Sequence, residues 1–179
     1  MLLRFVPPQL AQLDHLESEV LLACVYGDAR PAHGVAGLYD WRLCGRLSRL
    51  MREQFLTGEV GEVLMLPGKP RTSFDKLVLF GAGERASFDE PRYAQIVTSM
   101  LSTMSALRAR SAVVELPGRL DGRIPPARAA ELLLAAVAGS DEHDTWTLIE
   151  RPADQALIEA QLAERQRLLR RLPPAEPPG

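Results

Sequence analysis

The chain has 179 residues, 46% hydrophobic and 25% charged, with a formal net charge of −2. That is enough length and apolar content for one domain with a core of its own, without disulfide or metal staples. The charge balance argues against a strong nucleic-acid binder, and no apolar run approaches membrane-spanning length. Met1–Pro8 is too short and too soon broken by proline for a signal peptide, so a soluble, cytoplasmic protein is expected.

Leu2–Val6 reads as a short strand stopped by Pro7 and Pro8. A polar linker follows, then Val20–Val25, an almost wholly apolar run that predicts a strand buried on both faces. Gly27–Gly34 has turn chemistry. A helix is predicted from about Val35 to before Gly58, with Trp41, Cys44, Leu47, Leu50 and Met51 on its apolar side and Gly45 inside it. Glu59–Leu66 alternates in part and predicts a strand near an edge, ended by Pro67-Gly68. Leu77–Phe80 is an unbroken apolar run and predicts an interior strand, closed by Gly81 and Gly83.

Ser87 and Glu90 have capping-box spacing, and Pro91 suits a first helical turn. Tyr93, Ile96, Val97, Met100, Leu101, Met104 and Leu107 then recur every three or four residues and predict one apolar helix face. Ser111–Leu116 is a fifth strand, Leu120–Pro126 a loop, Ala127–Ala138 a deeply packed helix and Thr145–Ile149 a sixth strand. Ala153–Leu172 is a charged helix whose late arginines suit the negative end of the helix dipole, and Pro173–Gly179 is a proline-rich tail expected to be disordered. The fold class this predicts is a three-layer helix-sheet-helix α/β domain with a mixed sheet of about six strands. It spans residues 1–151, with a terminal helix over 152–172.

The chemistry-bearing residues are sparse. His15, His33 and His143 lie in polar, loop-like contexts and read as surface histidines, and Cys24 and Cys44 read as buried thiols. Asp141–Asp144 reads as a solvated acidic loop, so no metal site, cofactor or catalytic residue is assigned. Arg42, Arg46, Arg49 and Arg52 fall on one face of the first long helix and read as a solvated face. Two glycine loops each follow a buried strand and precede a helix: Gly34, Val35, Ala36 and Gly37, and Gly81, Ala82 and Gly83. Helix N-termini at the carboxyl ends of strands attract phosphates, so these seven residues are the expected place for any small ligand.

The run of elements has a relative. Val20–Val25, Gly34–Gly37, Leu43–Leu50, Gly58–Leu64, Lys76–Gly83 and Ser111–Gly118 stand in an order that resembles the N-terminal domain of the leucyl aminopeptidase family (peptidase family M17). The resemblance implies a fold like that of macro domains, the ADP-ribose-binding modules. It also implies that Ala153–Leu172 with Pro173-Pro174 corresponds to the helix linking that domain to a metallopeptidase domain. The family's Asn-Thr-Asp-Ala-Glu-Gly-Arg motif has no match here, so none of its metal ligands carries over and no peptidase activity is expected. The Asn-rich segment typical of macro domains is replaced by Ala23–Gly27.

The expected role is therefore that of a stand-alone, non-catalytic relative, regulatory or scaffolding, that contacts a protein partner or itself. Leu162, Leu168, Leu169 and Leu172 of the last helix are its candidate partner-binding residues. Alternatives are a nucleotide or ADP-ribose module, or an accessory subunit of a separately encoded catalytic domain.

Overall fold

Along β2 (Val20–Val25) every residue is buried, and successive side chains enter opposite layers. Val20, Leu22 and Cys24 join one core and Leu21, Ala23 and Val25 the other. This two-sided burial is why the run is unbroken in the sequence, and β4 (Lys76–Gly81) repeats it with Val78 and Phe80 against Leu77 and Leu79. The computed structural model describes residues 2–137 and 145–171. Among these, β1 (Leu2–Val6), β3 (Val63–Pro67), β5 (Ser111–Val114) and β6 (Thr145–Ile149) complete one six-stranded sheet in the order β1-β6-β5-β2-β4-β3. All neighbours are parallel except β3, which runs antiparallel to β4 with Met65 opposite Val78. The predicted mixed α/β sheet is thus present, and Leu77–Phe80 is interior.

One face of the sheet carries α4 (Glu90–Leu107) and α5 (Pro126–Val137). Tyr93, Ile96, Val97, Met100 and Met104 of α4 are buried, each stabilising the fold by roughly 1.5–3 kcal/mol relative to exposure. The cap of α4 is Asp89, whose carboxylate accepts the Arg92 N–H at 3.0 Å. The predicted Ser87–Glu90 box does not form; the Ser87 hydroxyl donates instead to the Glu84 carbonyl.

The other face carries α1 (Leu10–Leu13), α2 (Gly34–Arg42) and α3 (Arg46–Arg52). Two expectations are corrected here. The segment after β1 is not only linker, because Leu13 is fully buried and holds the short α1 against the sheet. The single helix expected from Val35 is two helices. Cys44 and Gly45 take left-handed backbone with φ of 55° and 75°, and Asp40 reaches across the break to accept the Leu47 N–H at 2.7 Å and the Ser48 N–H at 3.1 Å. The break turns Trp41 and Cys44 outward, so neither is on an apolar face and Cys44 is not buried. It also divides the arginine row. Arg42 pairs with Asp14 at the end of α1, while Arg46, Arg49 and Arg52 belong to α3.

Finally, α6 (Pro152–Arg171) packs against α5 and is anchored at its start. Ile158 is fully buried, and the Gln161 amide donates to Glu131 of α5 at 2.7 Å. The Asp141–Asp144 loop, His143, Leu172 and the tail to Gly179 lie outside the described residues.

Candidate functional site

Of the features at the carboxyl ends of the central strands, the deepest is a carboxyl group. Glu115 follows β5, and its own N–H extends the pairing to Leu22. Its side chain is 6% exposed and reaches the first turn of α2. One oxygen accepts the Val35 N–H at 3.3 Å and the other the Cys24 N–H at 3.2 Å. Burial lifts the carboxyl to about 8, against the lowering effect of those two N–H groups. The neighbouring Cys24 thiol is raised as well, by burial and by Glu115.

Side chains close the mouth above Glu115. Tyr26 stacks edge-on against Phe88 with ring centres 5.8 Å apart, and Arg85 lies over the Tyr26 ring while pairing with Asp121 at 3.0 Å. Burial and the Asp121 charge hold the Tyr26 hydroxyl above its ordinary range. The space left among Tyr26, His33, Gly34, Glu115, Leu120 and Asp121 is about 10 Å³. That is about one water molecule, far below the roughly 300 Å³ of a small-molecule pocket.

The seven expected ligand residues are not gathered in one place. Gly34 lines the small space, with φ of +61°, and a Cβ on it would stand 2.4 Å from a Glu115 oxygen. Val35 and Ala36 are fully buried in the α2 core. Gly37 opens on a surface groove of about 730 Å³ beside Trp41 and Cys44. Gly81, Ala82 and Gly83 run on the far side of Tyr26 and Gly27: Ala82 donates to Val25, and Gly27 to Gly83. A Cβ on Gly81 would lie 1.8 Å from the Glu59 carbonyl oxygen, so a close backbone approach accounts for that glycine. The N-terminus of α4 is already capped by Asp89.

A second buried polar cluster lies at the root of α6. Arg119 is 3% exposed and Glu150 fully buried. The guanidinium donates to both Glu150 oxygens at 2.9 and 3.1 Å, contacts Asp154 of α6 at 3.1 Å and donates to the Ile124 carbonyl. Burial raises the Glu150 carboxyl and Arg119 pulls it back down. Beyond this root Leu157 is 54% exposed and Leu162 is half-buried. The side chains of Leu168 and Leu169 lie outside what the structure describes. His15 and His33 are exposed, and among the described residues no three His, Cys, Asp or Glu side chains are grouped to hold a metal ion. No described helix is long and apolar enough to cross a membrane.

Sequence reasoning missed Glu115, Arg119, Glu150 and Asp154. A faint signal exists for the first and third. Glu115 interrupts the apolar run Ala112–Leu116, and Glu150 directly follows Leu148 and Ile149, where a lone carboxylate needs a partner.

A parallel sheet with one antiparallel edge, helices on both faces and closure of β1 by β6 defines a macrodomain-like α/β fold. A mutant Oceanobacillus iheyensis macrodomain with ADPR superposes with TM-score 0.71 at 15% identity, covering 92% of this chain and 94% of that one. A tomato leucine aminopeptidase mutant superposes with TM-score 0.62 at 16% identity, covering 90% of this chain and 35% of that one. At such identities the likeness is one of fold. In sequence, a probable cytosol aminopeptidase of Halorhodospira halophila is 34% identical over 137 residues, 73% of this chain and 27% of the relative. The cytosol aminopeptidase of Pseudomonas aeruginosa is 25% identical over 159 residues, 81% of this chain and 32% of the relative. Residues 24–145 match the N-terminal domain of the cytosol aminopeptidase family, and the chain belongs to that family. It spans about a quarter to a third of the length of these two relatives.

Proposed function

We propose that this domain is a non-catalytic protein-contact module of the cytosol aminopeptidase family, regulatory or scaffolding in role, and not a small-ligand receptor. The observation that carries the reading is the Glu115 side chain, which occupies the α2 N-terminus and accepts the Val35 and Cys24 N–H groups. An incoming phosphate would have to displace a buried, doubly bonded side chain and would meet a like charge wherever Glu115 is ionised. Helix α6 offers accessible surface of the kind a protein partner uses: Ile158 holds one side to the domain while Leu157 faces outward. A catalytic domain, in the same polypeptide or in another, is one partner that the short coverage of the relatives favours. The others are unrelated proteins under regulation.

Two measurements test this. Titration of ADP-ribose and ADP into the purified chain should give no saturable heat. A tagged chain should retain a stoichiometric partner from its own host, and Leu157→Asp, which alters an exposed position, should release it without changing the melting temperature. Saturable ADP-ribose binding would replace the reading with the nucleotide one. Recovery of a metallopeptidase domain as the partner would narrow it to the accessory role.

A further inference from the structure

The edge of the sheet at β3 carries a self-complementary set of groups that the fold leaves unused. The Gly81 N–H donates to the Glu62 carbonyl and the Gly68 N–H to Asp75, so the even-numbered residues of this segment turn their backbone polar groups toward β4. In an antiparallel ladder the intervening residues point the other way. Val63 and Met65 therefore present N–H and C=O groups outward, and Pro67 presents a C=O alone. The side chains of Val63 and Met65 are 44% and 51% exposed, because they share the face of Val78 and Phe80 beyond the reach of α4. Leu64 and Leu66, on the opposite face, are covered.

We propose that β3 is the contact between two copies of this chain, paired antiparallel about a two-fold axis at Met65. In that register Met65 exchanges two hydrogen bonds with Met65 of the second copy. The Val63 N–H of each copy donates to the Pro67 carbonyl of the other, and the missing proline N–H ends the ladder after four bonds. The two exposed methionines meet side by side, and each valine lies beside a proline, so the apolar strip covers itself. The outward polar groups of each copy sit on the odd-numbered residues, so a two-fold axis at Met65 pairs them antiparallel. Four bonds and a short strip make a weak, concentration-dependent dimer. The contact is independent of α6, so its failure leaves the partner reading of that helix untouched.

Sedimentation of the 179-residue chain up to millimolar concentration should show monomer and dimer in equilibrium. Met65→Lys puts like charges across the axis and should weaken the dimer roughly tenfold, a change of 1.4 kcal/mol, with the melting curve unaltered. Exposed Cys44 is first replaced by Ser. Met65→Cys in that background should then oxidise to a covalent dimer, since directly opposed residues of a hydrogen-bonded antiparallel pair lie about 5.5 Å apart, within disulfide reach. Val63→Cys should not, because it opposes Pro67. A chain that stays monomeric throughout, a dimer indifferent to Met65→Lys, or cross-linking through Val63→Cys in preference to Met65→Cys would each overturn the proposal.

Discussion

Glu115 is a carboxyl kept out of water by its neighbours, and its pH dependence follows from that. Its ordinary value of 4.5 applies to the unfolded chain and about 8 to the folded one. Between those two values the folded state holds a proton that the unfolded state has released, so stability falls as pH rises through the interval. The contribution is fully present below 4.5 and is lost by about 8. Glu115→Gln keeps an acceptor for the Val35 or Cys24 N–H but cannot titrate. Melting temperatures measured across the interval should decline more steeply for the natural chain than for the variant, and parallel curves would show that Glu115 does not carry the effect. The sequence marks Glu115 only as a break in an apolar run and does not name its partners, because the N–H groups it meets lie 91 and 80 residues away. Gly81 teaches the same lesson from the other side. Its position after a strand suggests a ligand loop, and the structure adds a packing reason for the glycine, the close approach of the Glu59 backbone.

Among the elements, those buried on two faces were the most legible. Val20–Val25 and Leu77–Phe80 must be apolar at every position, so composition alone locates them. The α2–α3 break was not legible, since a glycine within a helical period costs only about 1 kcal/mol and is often tolerated. Here the left-handed Cys44 and Gly45 and the distant cap from Asp40 decide it, and that cap depends on the turn it helps to make. Helix α6 was read correctly as an element, but its attachment was not. Arg119 joins the loop after β5 to Glu150 and Asp154, and removing a charge from such a buried set typically costs about 3–5 kcal/mol. A chain ending at Arg151 loses Asp154 and Ile158 together. It should unfold at lower denaturant concentration, with a loss of about 3 kcal/mol or more. An unchanged unfolding midpoint would mean that α6 adds nothing to the domain it rests on.

At the scale of the whole molecule, family and fold were legible because the order of strands and glycine turns is a property of the entire chain. The contents of the cleft were not, because they depend on a few side chains. The matched region is the family's N-terminal domain, and the prediction for these 179 residues is that they release no leucine from a chromogenic amide with manganese or zinc present. Activity that survives purification to homogeneity and is absent from a mock preparation would contradict it. The sheet topology also sets the order in which the molecule can be assembled. β1 begins at Leu2, yet its sheet neighbour is β6, where Leu2 faces Thr145. Within this domain β1 has no sheet partner until the last of the six strands is present, and closing so long a loop costs entropy that shorter-range pairings avoid. β1 is therefore expected to join the sheet last, and its amide hydrogens should exchange before those of β2 and β4.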